Sequence, residues 1–594
     1  MKPEKPKNLG FKQIYFNLDK ILFLFFLTFM MIEFVWLPAN SWIAGLLLRQ
    51  TGYLFLSYNN IFAIIKGSPF VSLALFVLVI VNLLIAYYQI GLLFIGARHL
   101  LYHEKRTLLE YSRKVFRQSF LFMKQVTLAK ITFIFFYVMM LFPLIRKILK
   151  IYYLNKIVIP DFIVDYVEDK YWLVGIVVTI LALLLFYISV RFMFALSQLL
   201  FEKKTVKEAV RYSLEKTRKH SWFYTWNLLW IVVKTYLFFI LLLIPILASQ
   251  ALMDGLTHKE SLVLGIINFV LIKNFHYMAL TYFLIKFVSF LTGEELEITP
   301  RRKKDHWMRW GVMGCACIFF ALEGYVYLEA PVANKPLIIS HRGVSNKNGV
   351  QNTVQSLEKT AQLSPDFVET DVQETKDGQF VMMHDANIKN LTGVNANPQD
   401  LTLKELTKLD ISENGYHSKV SSFDDYLNKA NELHQKLLIE IKTSRKDSPD
   451  MMKRFMEKYG TVLKQNGHQM QSLDYHVIDQ VLAYDTQIPV FFILPYNSIF
   501  PRTKATGYTM EYSTLDENFV NKLWNTDQKL YVWTINSSES FDKSIQLGAD
   551  GMITDDLEMI QDQVTIAQED PEYTDLLFKQ ATEFFNFYSA LNLE

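Results

Sequence analysis

The sequence predicts an α-helical transmembrane domain followed by an α/β (β/α)8 TIM barrel with a small hairpin insertion. Three observations predict it. Residues 67–97, 171–190 and 235–253 carry no charged side chain, and runs of that length match the roughly 20 residues a helix needs to cross a bilayer. From residue 336 the texture changes to short apolar runs separated by helix-length connectors, the pattern of parallel strands joined by helices. Histidines and carboxylates then gather at the ends of those runs, where barrel enzymes build their sites.

The composition agrees with two domains of different kinds. The chain has 594 residues, 51% hydrophobic and 20% charged, with a mean hydropathy of +0.16 that is high for a soluble protein. The net charge of +3 is small and its charges are local, so no nucleic-acid partner is expected. Cys315 and Cys317 are the only cysteines. They lie two residues apart in an apolar run, which excludes a disulfide framework.

In chain order, the spans expected are 21–40, 67–97, 131–145, 171–190, 235–253, 261–285 and 311–328. They are apolar all round, whereas buried helices of a soluble domain would show a polar face at helical period. The lysine-rich N-terminus reads as an uncleaved anchor. Segments 41–65 and 100–125 mix apolar, aromatic and basic residues, as interfacial or re-entrant helices do. Seven crossings leave the Lys- and Arg-rich segments (1–20, 98–130, 202–222, 293–310) on one side with 25 cations, and the opposing loops with 8. The positive-inside rule then puts the N-terminus in the cytoplasm and everything after residue 330 outside the cell. Losing the short third span would reverse that answer. Glu33, Arg191, Lys234, Lys273 and His276 fall in or near spans; snorkelling accounts for Arg191 and Lys234.

Eight strand-like runs follow: 336–340, 367–372, 437–442, 467–472, 489–494, 508–512, 530–535 and 550–554. Asp377-Gly378 marks a tight turn after the second, so 379–384 reads as its antiparallel hairpin partner. The domains expected are a membrane domain over 1–330, a barrel over 331–562 and a helical extension over 563–594. The extension has an apolar face that includes Phe578, Phe584, Phe585, Phe587 and Tyr588. Packing on its own barrel is the default for it; packing on the membrane surface and a homo-oligomer contact stay open.

The chemistry centres on His341-Arg342-Gly343, Glu369-Thr370-Asp371 and His384-Asp385. Glu369 and Asp371 are two apart on a strand and so share a face. A solvated strand edge would present the same pair, but two inward carboxylates repel unless a cation joins them, which favours metal ligation. Glu440 and Lys442 repeat the spacing on the third strand, either as an internal salt bridge or as a third ligand with a phosphate clamp. His341 and His384, both at strand ends beside carboxylates, look like a proton-transfer pair, and Arg342 offers a fork to phosphate oxygens. Trp533 is a wall for a substrate moiety or simple core. His476 lacks a strand-end context and reads as structural.

These residues resemble the glycerophosphodiester phosphodiesterase family. The match runs through His341-Arg342-Gly343, Asn352-Thr353, Glu369-Thr370-Asp371-Val372, Thr375-Lys376-Asp377-Gly378, His384-Asp385 and Glu440-Ile441-Lys442. It continues through Gln471-Ser472, Trp533-Thr534-Ile535-Asn536 and Gly551-Met552-Ile553-Thr554-Asp555. The first half looks like the membrane domain that precedes this barrel in some Gram-positive bacterial members. The resemblance implies a divalent cation, Ca2+ or Mg2+, ligated by Glu369, Asp371 and Glu440, with His341 and His384 as general base and acid. It implies hydrolysis of a glycerol–phosphate diester to glycerol 3-phosphate and an alcohol. Arg342, Lys442 and Trp533 are expected at the substrate. One departure stands out: many members have Pro-Glu-Asn-Thr where this chain has Val350-Gln351-Asn352-Thr353.

An extracellular barrel held at a lipid bilayer suits poly-glycerophosphate of the lipoteichoic-acid type, or lipid head groups. The competing expectation is a transporter or scaffold whose barrel only binds glycerophosphate.

Overall fold

The computed structural model describes residues 11–53, 56, 60–101, 107–140, 172–255, 257–294, 306–333, 335–496, 500–524, 526–569 and 572–582. It divides into two compact units, Met1–Leu328 with Glu572–Glu594, and Glu329–Pro571.

Among the described residues, six helices are long and apolar enough to cross a membrane: Leu18–Arg49, Pro69–Leu101, Leu173–Phe201, Ser221–Asp254, His258–Thr292 and Trp307–Pro331. They carry six of the seven expected spans. The seventh, 131–145, falls on Leu128–Met140, and its residues 141–145 lie outside the described residues. That helix follows Leu108–Met123 at a bend of 116°, so the pair is one broken crossing or a re-entrant turn. Leu108–Met123 begins at a Thr107–Glu110 capping box and carries Arg113, Lys114 and Arg117, which do not sink into hydrocarbon. Arg301–Lys304 and the lysines of residues 1–10 also lie outside the described residues.

Outward-facing Leu173, Val177, Ile180 and Leu183 are mostly exposed within the protein, as lipid-facing positions must be. The unit's core runs along His258–Thr292, where Phe269, Phe283 and Phe287 are fully enclosed. Lys273 pairs with Glu323 of the last span at 2.6 Å, which neutralises both within the apolar layer. Arg191 does not simply snorkel: it donates to Thr217 Oγ1 and Leu214 O of the helix Val206–Thr217.

The expectation that the C-terminal extension packs on the barrel is corrected. Helix Tyr573–Thr582 belongs to the membrane unit. Tyr573, Leu576, Leu577 and Ala581 make a stripe at helical spacing that joins that unit's core. Thr574 donates through N and Oγ1 to Asp254 Oδ2 at 2.8 and 2.6 Å, at the end of the span Ser221–Asp254. Phe584, Phe585, Phe587 and Tyr588 lie outside the described residues.

The second unit is the barrel. Its parallel strands are β1 (Leu337–Ser340), β2 (Phe367–Glu374), β6 (Leu437–Ile441), β7 (Gln469–Ser472), β8 (Val490–Leu494), β9 (Gly507–Glu511), β10 (Lys529–Trp533) and β11 (Gly551–Thr554). Neighbours pair in that order, and β1 bonds both β11 and β2, which closes the ring. All eight expected strands form. Between β2 and β6, β3 (Phe380–Met382) returns antiparallel to β2. A further hairpin, β4 (Asp410–Glu413) with β5 (Tyr416–Lys419), was not anticipated, although Asn414-Gly415 at its tip is a strong turn signal. Inside the ring, Ile339, Phe367, Leu438, Phe491, Tyr531 and Ile553 pack together. That plug leaves only the strand ends above it open for chemistry.

Candidate active site

The period of a strand builds the site. Residues two beyond the inward-facing core point into the ring again, one level higher. Phe367 is followed by Glu369 and Asp371, Leu438 by Glu440, Ile339 by His341 and Ile553 by Asp555. Asp371 is in register with Glu440, and Glu440 with Gln471, so one layer of the barrel is polar.

Glu369, Asp371 and Glu440 bring one carboxylate oxygen each to within 4.8 Å of one another, and all three are buried. Burial, with Asp371 and Glu440 beside it, pushes the Glu369 carboxyl well above its ordinary range. Burial acts on Asp371 too, but Lys442, His384 and Arg342 outweigh it and hold that carboxyl low. Lys442 Nζ lies 2.7 Å from Glu440 and 3.2 Å from Asp371; despite burial, those carboxylates raise its affinity for a proton. The Glu440–Lys442 salt bridge is therefore real, and it coexists with the carboxylate cluster. Three converging carboxylates with one ammonium leave an excess of buried negative charge. That all-oxygen donor set fits a hard divalent cation.

Each carboxylate is held from behind. Arg342 N–H donates to Glu369 Oε2 at 2.9 Å from a residue in left-handed backbone (φ +52). Gly343 follows at φ +68, and a Cβ there would come within 2.5 Å of the Tyr426 hydroxyl, so both geometry and space require glycine. Asn352 donates to Asp371 Oδ2 at 2.9 Å, while its own oxygen accepts from Asp371 N and Thr370 Oγ1. Gln471 reaches Glu369 Oε1 at 3.4 Å.

The two histidines share one design. His341 Nδ1 lies 2.8 Å from Asp555 Oδ1, because β1 and β11 run in register and place both residues just past Ser340 and Thr554. His384 Nδ1 lies 2.9 Å from Asp385 Oδ1. Despite burial, His341 and Asn536 hold Asp555 down to about 2; the His384 hydrogen bond, foremost, does the same for Asp385, also about 2. An ionised carboxylate only accepts, so each Nδ1 carries a proton and each Nε2 is the nitrogen left to take or give one at the site. Gln373 Nε2 binds the carbonyls of Met383, His384 and Asp385 at 3.0, 3.2 and 2.9 Å, which fixes the turn bearing His384.

Of the residues expected from sequence, Arg342, Glu369, Asp371, Glu440 and Lys442 are joined by these contacts, and His341 and His384 stand at neighbouring strand ends, each on its own aspartate. Trp533 ends β10, half-buried against the inner core. His476 is exposed at the start of helix Tyr475–Tyr484 and bonds only Gln480 among its side-chain contacts. Sequence reasoning did not assign Asp555, Asp385, Gln373 or Glu413. The first two sat inside quoted motifs; Gln373, two beyond Asp371 on β2, had the same alternation as its signal.

Comparison with known proteins matches this architecture in both halves. Residues 7–322 match the family model described as the membrane domain of glycerophosphoryl diester phosphodiesterase, and residues 341–559 match the glycerophosphoryl diester phosphodiesterase family. The chain is 25% identical over 235 residues to a glycerophosphodiester phosphodiesterase of Caldanaerobacter subterraneus, covering 38% of this chain and 96% of that protein. It is 24% identical over 272 residues to lysophospholipase D GDPD1 of Homo sapiens, covering 36% and 82%. Among solved structures, an Oleispira antarctica phosphodiesterase in complex with sn-glycerol-3-phosphate is 20% identical, covering 40% and 99%, with a TM-score of 0.35. A glycerophosphodiester phosphodiesterase from Thermotoga maritima is 21% identical, covering 38% and 98%, with a TM-score of 0.32. With the membrane domain matched along its length and the barrel matched beyond it, the chain belongs to the membrane-domain-bearing glycerophosphoryl diester phosphodiesterases.

Proposed function

We propose that this enzyme hydrolyses glycerophosphodiesters on the outer side of the cell membrane, using His341 and His384 for proton transfer and Glu369, Asp371 and Glu440 for one divalent cation. The observation that carries the reading is the pair of imidazoles, each tied through Nδ1 to a carboxylate, beside a buried cluster of three further carboxylates.

In this reading Arg342 and Lys442 bind the phosphate oxygens and stabilise the charge that grows on them in the transition state. One imidazole Nε2 takes the proton of the nucleophile, whether water or the neighbouring glycerol hydroxyl, and the other imidazole protonates the leaving alkoxide. Asp555 and Asp385 orient the rings and stabilise each imidazolium. Trp533 forms a wall for the glycerol or alcohol moiety. A bound cation, Ca2+ or Mg2+, would neutralise phosphate oxygens and polarise the phosphorus.

The sidedness is supported by the last three spans alone. Residues 202–220 carry seven Lys and Arg and residues 293–306 carry four, whereas 255–257 carry none. Positive charge inside therefore puts the Asp254–His258 turn outside, and the end of the last span with it. The return of Thr574 to Asp254 after the barrel is consistent with that side. An N-terminus inside then requires one crossing between 102 and 171, which the bent pair, taken as one span, would supply. On the outer surface the substrates that fit are poly-glycerophosphate chains and lipid head groups.

The test uses the full chain in detergent, because the segment after the barrel belongs to the membrane unit. Release of glycerol 3-phosphate from glycerophosphocholine and from poly-glycerophosphate is measured before and after EDTA. Release that stops with chelation and returns with Ca2+ or Mg2+ supports the assignment, and the faster substrate ranks lipid-derived against polymeric diesters. Turnover unaffected by chelation would refute the cation's role.

A further inference from the structure

We infer that Glu413, at the tip of the β4–β5 hairpin, is a positioning residue that acts through Gln351 on Arg342. Glu413 Oε2 accepts the backbone N–H of Gln351 at 2.9 Å, and Glu413 Oε1 accepts from Gln351 Nε2 at 2.6 Å. The Gln351 oxygen in turn accepts from Arg342 at 3.1 Å. A carboxylate can only accept, so it forces the Gln351 amide to turn its NH2 toward the hairpin and its oxygen toward the guanidinium. The relay has one sense and no free flip. Without Glu413 the same amide could reverse and present a donor to Arg342.

The hairpin is seated for this task. Asn414 donates to Gly349 O at 3.1 Å, and the Lys359 ammonium lies 4.1 Å from the centre of the Tyr416 ring. Glu413 and Asn414 thus hold the loop that follows His341, and Tyr416 rests against Lys359, which itself donates to Asn348 O of that loop at 2.9 Å. The Arg342 side chain sits 3.9 Å from Asp371 through Nε, a distance that leaves its orientation to the Gln351 contact. A guanidinium fixed on one edge presents the other edge to a phosphate.

The inference rests on the reading that Arg342 binds the substrate phosphate, and the experiment separates the two. The full chain is assayed in detergent on glycerophosphocholine as wild type, Arg342→Ala, Glu413→Gln, Gln351→Glu, Gln351→Glu with Glu413→Gln, and Lys419→Met. Glu413→Gln replaces one of the two acceptors by a donor, and Gln351→Glu sets two carboxylates against each other. Each is expected to lower kcat/KM by about tenfold, mostly through KM. The double variant restores an acceptor facing Arg342 and a donor between the two side chains, and is expected within about threefold of wild type. Lys419→Met removes an exposed ion pair with Asp410 at the open end of the hairpin, away from the relay and from the loop, and is expected to leave both constants unchanged. A double variant as impaired as the product of its singles, or a Lys419→Met enzyme matching Glu413→Gln, overturns the inference. If Arg342→Ala leaves KM unchanged in an active wild-type background, it is the phosphate-binding reading that fails.

Discussion

His341 and Asp555 stand just past the ends of two strands in register, which is why residues more than two hundred positions apart meet at 2.8 Å. Replacing Asp555 by Asn keeps the shape but lets the amide donate to Nδ1, so the ring's proton is displaced to Nε2. This variant is expected to lower kcat by about a hundredfold or more with the fold intact, measured by steady-state kinetics alongside circular dichroism. A second residue-scale expectation concerns His468, which is 1% exposed. Its Nδ1 accepts from Leu437 N–H and its Nε2 faces Asn431 Oδ1, so the folded state needs the neutral ring. Burial lowers its pKa from 6.5 to about 4. The unfolded chain binds the proton first, and barrel stability should therefore be fully present above pH 6.5 and decline as pH falls toward 4. The decline attributable to this group is on the order of 3 kcal/mol. Denaturant melts across that range, compared with His468→Gln, check it; a variant with the same pH slope as wild type would sink the idea.

At the scale of elements, the excursions between β2 and β6 do more than connect. β3 returns along β2 so that Gln373 can collect three carbonyls of the His384 turn, and the β4–β5 hairpin reaches back to the His341 loop. The helix Tyr573–Thr582 is the other such element. Leu577 is wholly enclosed in the membrane unit, and Thr574 satisfies Asp254. Ending the chain at Glu569 is expected to lower the melting temperature of the membrane unit in detergent. Leu577→Ala alone should cost about 2–4 kcal/mol, read from the same melt. Unchanged melting of both would show that this helix is only a passenger.

For the whole molecule, the parity of crossings decides on which side the chemistry occurs. Single cysteines introduced at Lys259 and at Ser448, in a background lacking Cys315 and Cys317, should react with a membrane-impermeant maleimide on intact cells. One at Lys207 should react only after permeabilisation. The reverse pattern would place the barrel in the cytoplasm and remove cell-surface polymers from the substrates. The sequence by itself determined the two domain types, the eight strands and the side chains of the polar layer inside the ring. Charge-free runs and period-two alternation are local properties, and each constrains the fold wherever it occurs. It also named Glu369, Asp371, Glu440, His341 and His384 as candidates, since spacing on a strand sets which faces they share. It did not determine what holds them. Asp555, Gln373 and Glu413 act through partners distant in sequence, and only closure of the ring and folding of the hairpins bring those partners within hydrogen-bond reach. The docking of the C-terminal helix was undecided for the same reason. An apolar stripe states that a surface must be covered, and only the tertiary structure decides which surface covers it.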